Sequence, residues 1–104
     1  MSPVERYHEL CEELLAQPGV TIGRALSNEG LMVHGKLFAF LLRGQLIVKL
    51  PVERVAEVIG AGTGAPALMG KRTMNGWVEV SREGDWPEIA RESYDYVWVL
   101  HAKG

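Results

Sequence analysis

Three histidines, one cysteine and a few carboxylate pairs are the residues of this sequence that could hold a metal or move a proton. His8, His34 and His101 are spread along the whole chain, and Cys11 is the single cysteine. Structural zinc wants four converging ligands, and no ligand spacing links these residues. A lone cysteine excludes an internal disulfide and is most simply a small buried hydrophobe. Serine chemistry has as little to work with. Ser2 stands where a helix cap belongs, Ser27 falls in a turn, Ser81 starts a loop and Ser93 lies on a helix stripe. None sits in a Gly-x-Ser-x-Gly elbow. The pairs Glu12–Glu13 and Glu53–Glu57 fall on solvated helix faces, whereas a general acid needs burial to raise its pKa. Gly60-Ala61-Gly62-Thr63-Gly64 is glycine-rich but follows a helix. A phosphate loop needs its glycines between a strand and a helix N-terminus, so this stretch reads as a mobile connector. The residues predict no catalytic group, no metal and no cofactor.

Binding is better represented. Tyr94, Trp98 and His101 recur at i, i+4 and i+7, beside the core stripe of a C-terminal helix. A helix apolar on two sides is either deeply buried or packed on a partner, and Trp and Tyr suit interfaces. Lys71 and Arg72 form a basic turn that Lys49, Lys36 and Arg24 could join, a candidate anion or nucleic-acid site whose plainer reading is a solvated loop face. Met74 and Trp77 flank that turn. Trp77 either plugs the sheet against a helix or stacks on a ligand.

The elements that must position these residues follow from periodicity. Ser2, Pro3 and Glu5 mark a helix start with a capping box, and Val4, Tyr7, Cys11 and Leu14, widened by Leu10 and Leu15, give its buried stripe. Pro18-Gly19 ends it. Val20–Leu26 reads as extended but irregular, and Ser27-Asn28-Glu29-Gly30 as a turn. Leu31–Val33, Lys36–Leu42 and Gln45–Leu50 are then strands joined by the two-residue loops His34-Gly35 and Arg43-Gly44, an antiparallel meander. The middle strand is apolar on both faces, with Phe38, Phe40 and Leu42 on one and Leu37, Ala39 and Leu41 on the other. A strand wet on one side alternates instead, so either both faces are covered or one is an interface. Pro51 opens a second helix with the stripe Val52, Val55, Ala56 and Ile59, and Gly60 suits its C′ position. Pro66–Met69 reads as a short edge strand, and Trp77–Val80 alternates and reads as a strand. Asp85 and Glu88 cap a third helix whose core stripe is Ile89, Ser93, Val97 and Leu100, with Ala90 and Tyr96 beside it. The expectation is a two-layer α+β domain in the order α-β(3)-α-β(2)-α.

Composition agrees. A chain of 104 residues, 47% hydrophobic and 23% charged, is sized and composed for one globular domain over residues 1–104. Its net charge of −2 weighs against a dedicated nucleic-acid binder. No apolar run approaches the ~20 residues that span a bilayer. The polar N-terminus has no signal-peptide core, so a cytoplasmic protein with no membrane partner is expected.

Several motifs carry a resemblance. Pro18-Gly19-Val20-Thr21, Gly23-Arg24, Gly30-Leu31, Gly35-Lys36 with Phe38-Ala39, Lys49-Leu50-Pro51 and Gly70-Lys71 with Met74 and Trp77 resemble the N-terminal domain of the TfoX competence regulators. They are also similar to the single-domain YjbR-like proteins. The regulators have Met-Phe-Gly-Gly where this chain has Ala25-Leu26-Ser27-Asn28, and the resemblance covers a stand-alone domain without their C-terminal helical domain. It implies a fold similar to the type III secretion chaperones, whose members often bind protein partners or pair as homodimers. The expected function is a non-enzymatic interaction or regulatory module that binds a protein partner or itself. The alternative is an anion, nucleotide or nucleic-acid binder using Lys49, Lys71 and Arg72.

Overall fold

Ser2 starts the first helix as its context demands. Its hydroxyl accepts the Glu5 amide at 3.2 Å and its own amide donates to the Glu5 carboxylate at 3.2 Å, completing a capping box on α1 (Pro3–Leu15). Four strands follow: β1 (Val20–Ala25), β2 (Asn28–Val33), β3 (Lys36–Leu42) and β4 (Gln45–Lys49). Then come α2 (Val52–Gly60), β5 (Gly64–Met69), β6 (Arg72–Val80) and α3 (Trp86–His101). The computed structural model describes residues 2–25 and 28–101. Leu26 and Ser27, and with them the centre of the expected turn, lie outside the described residues, as does the side chain of Arg24. Asn28–Gly30 belongs to β2.

The strands form one antiparallel six-stranded sheet in the order β1-β2-β3-β4-β6-β5. The helices lie on one face, so the fold is a two-layer α+β arrangement. The order expected from the sequence is kept, and Val20–Ala25 adds a regular strand at the front of the meander. Both tight loops hold two residues at positive φ: 54° and 74° at His34 and Gly35, 51° and 77° at Arg43 and Gly44. Those values fit the hairpin turns that follow the twist of their strands.

The two faces of β3 are not divided as alternation predicts. Leu31 of β2 stands opposite Ala39, and Met32 opposite Leu37, so Phe38 is an extra residue in β3. This bulge turns Phe38 to the same side as Ala39. Phe38, Ala39 and Leu41 therefore join the helix-side core, and Leu37, Phe40 and Leu42 lie on the other side. Ser93 of α3 completes the bulge. Its buried hydroxyl donates to the Phe38 carbonyl at 2.9 Å, satisfying both groups away from water.

The helix-free face closes over itself. Phe40, Ile47 and Ala67 are buried there beneath Leu37, Leu42, Met74 and Trp77. A second irregularity makes this happen. Pro66 pairs with Val78 but Leu68 pairs with Thr73, leaving Met74–Trp77 opposite Ala67 alone. Gly76 turns at φ 81°, and its carbonyl accepts the Leu50 amide at 3.0 Å. Both faces of β3 are thus covered by the chain's own residues.

The helical stripes also differ in detail. On α1 the buried residues are Tyr7, Leu10 and Leu14, while Val4 and Leu15 are exposed and Cys11 is half-buried. On α2 only Val58 is fully buried, Val55 and Ile59 pack from the side, and Val52 is exposed. Gly60 is the last helical residue. Gly62, at φ 80°, takes the C′ place: its amide donates to Ile59 at 3.0 Å, and the Thr63 amide donates to Val58 at 3.2 Å. That is a Schellman stop, so the glycine-rich stretch is an ordered helix end leading straight into β5. On α3, Asp85 accepts the Glu88 amide at 3.1 Å, and the buried set is Trp86, Ala90, Ser93, Tyr94 and Val97, with Leu100 exposed.

Candidate functional site

The aromatic stripe on α3 splits. Tyr94 is buried, its hydroxyl donates to the Pro18 carbonyl at 2.7 Å, and its ring lies 5.8 Å from Phe38. Its apolar body and its polar tip are both used inside the fold. Trp98 is half-buried. It packs against His34 with ring centroids 4.4 Å apart and planes tilted by 45°, and lies over Gly19, where an added Cβ would come within 3.0 Å of the indole. His101 is half-buried in the last turn. Beside these two, Val99 and Leu100 are exposed at 72% and 49%.

The basic group divides as well. Lys49 and Lys36 join His34 and His101 where β3 begins and β4 and α3 end. Partial burial, followed by the fields of Lys36, Lys49 and His34, holds the His101 imidazole below its ordinary range. That is the behaviour of a base among positive charges. Lys71 and Arg72 belong to the tip of the β5–β6 hairpin instead. Trp77 does not meet a helix. It lies on the helix-free face, edge-on to Phe40 at 5.7 Å, with the Lys49 ammonium 5.7 Å from its ring centre.

A cavity opens at residues that sequence periodicity assigned to the core. Val4, His8, Cys11, Glu12 and Leu15 form a second stripe on α1 that faces sideways across the sheet. With Tyr7, Ile22, Glu29 and Leu41 they line an open groove of about 520 Å³ between α1 and the β1 side. Val4, Leu15 and Ile22 are exposed there at 51%, 43% and 40%. Periodicity alone did not mark it, because six apolar residues over the 13 positions of the helix are no more than one core-facing stripe carries.

The position of α1 is fixed at its start. Arg6 donates to the Arg82 and Gly84 carbonyls at 2.7 and 3.2 Å, and its guanidinium lies 4.0 Å from the centre of the Trp86 ring. The Tyr7 hydroxyl donates to the Glu29 carbonyl at 3.2 Å. On the far side, Arg54 of α2 grips both carboxylate oxygens of Glu92 on α3 at 2.7 and 3.2 Å.

The groove is suited to holding a ligand more than to reacting with one. Burial raises the Cys11 thiol and, more strongly, the Tyr7 phenol above their ordinary ranges. Both stay protonated at neutral pH, and a protonated thiol is a poor nucleophile. Among the described residues no three His, Cys, Asp or Glu side chains converge as a metal site, and no helix is long and apolar enough to cross a membrane. No protein-family model and no curated protein matches the chain.

Proposed function

We propose that this chain is a non-enzymatic interaction module that engages a protein partner or a second copy of itself. The observation that carries the reading is where its exposed large apolar side chains lie. Five of them fall at two places, Val4, Leu15 and Ile22 around the groove, and Val99 and Leu100 on the last turn of α3. Clustered apolar exposure is what a protein surface keeps for contact. The resemblance to competence-regulator N-terminal domains supports the same reading.

Light scattering on the purified chain tests the α3 end, with Leu100→Glu as the main variant and Trp98→Glu as the second. Trp98 also packs on Gly19 and His34, so a loss of fold there reports core packing, whereas Leu100 is exposed enough to change safely. A dimer that becomes a folded monomer in Leu100→Glu supports self-association through α3. An unchanged mass removes that surface and leaves the groove.

A second reading has one observation of its own, the convergence of Lys36, Lys49, His34 and His101. It makes that end an anion or nucleic-acid site, with Lys71 and Arg72 as a separate contact. Binding of this kind weakens steeply with salt, so a titration against DNA and RNA at low ionic strength that shows no binding removes the nucleic-acid form.

A further inference from the structure

The two outer strands of the sheet differ in what they offer. β5 carries Pro66, which has no amide hydrogen to donate, and its neighbour β6 folds Met74 and Trp77 over the adjoining face. β1 reads Val-Thr-Ile-Gly-Arg-Ala, with no proline, and among the described residues it has β2 on one side and no strand on the other. An edge of this kind is a template for another extended chain.

The groove lies beside that edge. Ile22 stands opposite Leu31, which belongs to the helix-side core, so Ile22 points to the helix layer. It remains 40% exposed because α1 stops short of the edge. A strand laid against β1 sends every second side chain to that same side. Those side chains would enter the groove beside Ile22, under Val4, Cys11 and Leu15. We propose that β1 is a docking edge: an extended, basic segment of a partner protein pairs with it as an added strand and fills the groove with its alternate apolar side chains. The inference rests on the reading of the chain as an interaction module.

Charge selects this occupant over a second copy. α1 carries Glu5, Glu9, Glu12 and Glu13, all exposed, and Glu12 is on the groove wall. The basic residues beside them include His8, also on the wall, Arg6, held against Trp86, and Arg91, which is paired with Asp95. Two copies paired β1 to β1 about a two-fold axis would place both α1 helices on one face, acid against acid. A partner with lysine or arginine flanking its apolar positions meets the same rim favourably. Main-chain pairing would supply affinity, and the groove would supply side-chain selection.

The probe is a labelled peptide, Lys-Thr-Val-Thr-Ile-Thr-Val-Thr-Lys, titrated against the whole chain by fluorescence anisotropy. One of its faces is Lys-Val-Ile-Val-Lys and the other is threonine. Saturable binding is expected, about tenfold weaker when both lysines are glutamate. Ile22→Lys and Leu15→Lys, both folded by thermal melt, should each abolish it. Two further peptides carry N-methyl groups, one on the threonines and one on the apolar residues. Only one set can face β1, so one peptide should lose binding and the other keep it.

Equal binding of both methylated peptides, equal binding of the glutamate peptide, or no binding of any peptide overturns the docking edge. So does a dimer that Ile22→Lys dissociates and the basic peptide leaves intact. If the peptides fail while Leu100→Glu still shifts the mass, the interaction reading stands without this edge. If both fail, both readings fall.

Discussion

At the β5 edge a proline removes a donor, a four-residue excursion in β6 brings Met74 and Trp77 over the sheet, and Ala67 is left 1% exposed. At the β1 edge the backbone has, among the described residues, no strand on its outer side, and Ile22 is 40% exposed beside a groove. One sheet thus has one finished margin and one unfinished margin. Sheet proteins guard their edges against stray pairing, so an unguarded edge beside an apolar groove is where selective pairing costs the fold least. The difference also shows that apolar content alone does not mark a docking surface. The helix-free face is rich in large apolar side chains, yet it buries Phe40 and Ile47 with no outside help.

Stability measurements on the two margins would break or sharpen this contrast. Phe40→Ala removes a fully buried ring from the closed side and should cost about 3–5 kcal/mol by denaturant unfolding. Ile22→Ala at the open side should cost under about 1 kcal/mol, because much of that side chain is already in water. Equal costs would mean that the β1 side is packed core, and the contrast would collapse. Ser93→Ala leaves the Phe38 carbonyl buried without its donor and should cost about 1–3 kcal/mol in the same assay. Gly76→Ala tests the excursion that closes the β5 side. An added Cβ there meets only the Leu50 carbonyl, at an ordinary 3.6 Å. The cost should therefore come from the backbone at φ 81° and amount to about 1–2 kcal/mol.

The smallest effect is a pH dependence. Since the folded chain holds the His101 imidazole below its ordinary pKa, the unfolded chain takes up that proton first. Stability should therefore fall as pH drops through the ordinary imidazole range, about 6.5, and on through the lowered value. The same imidazole followed by NMR in phosphate also tests the anion reading, because an anion bound beside Lys36 and Lys49 would raise its pKa. An unchanged titration would leave that end as repelling charges only.

Much of the architecture was legible in the sequence because local chemistry dictates it. The Ser2–Glu5 box, the two left-handed hairpin loops and the Asp85 cap each require particular residues at fixed offsets, and each occurs as read. What alternation could not reveal was the extra residue in β3. A bulge of this kind has no glycine or proline to announce it, and it depends on a serine from a helix far along the chain. The groove was hidden for a related reason. Val4, Cys11 and Leu15 fit a helical core pattern, and nothing in periodicity says how far a sheet extends beneath its helix. Periodicity left Tyr94 between core and interface, and the Pro18 carbonyl, which accepts from its hydroxyl, places it in the core.

The link between Ser93 and Phe38 spans 55 positions of sequence. It therefore sets an order of events during synthesis. The strands β1 to β4 leave the ribosome well before α3 exists, and until α3 docks nothing holds the Phe38 carbonyl on the helix side. The strands of the meander can pair among themselves, but the Phe38 carbonyl gains its side-chain donor only when the last helix is in place. Long-range contacts of this kind are the slow ones in folding. A carbonyl in the part of the chain made first is thus satisfied by a hydroxyl in the part made last.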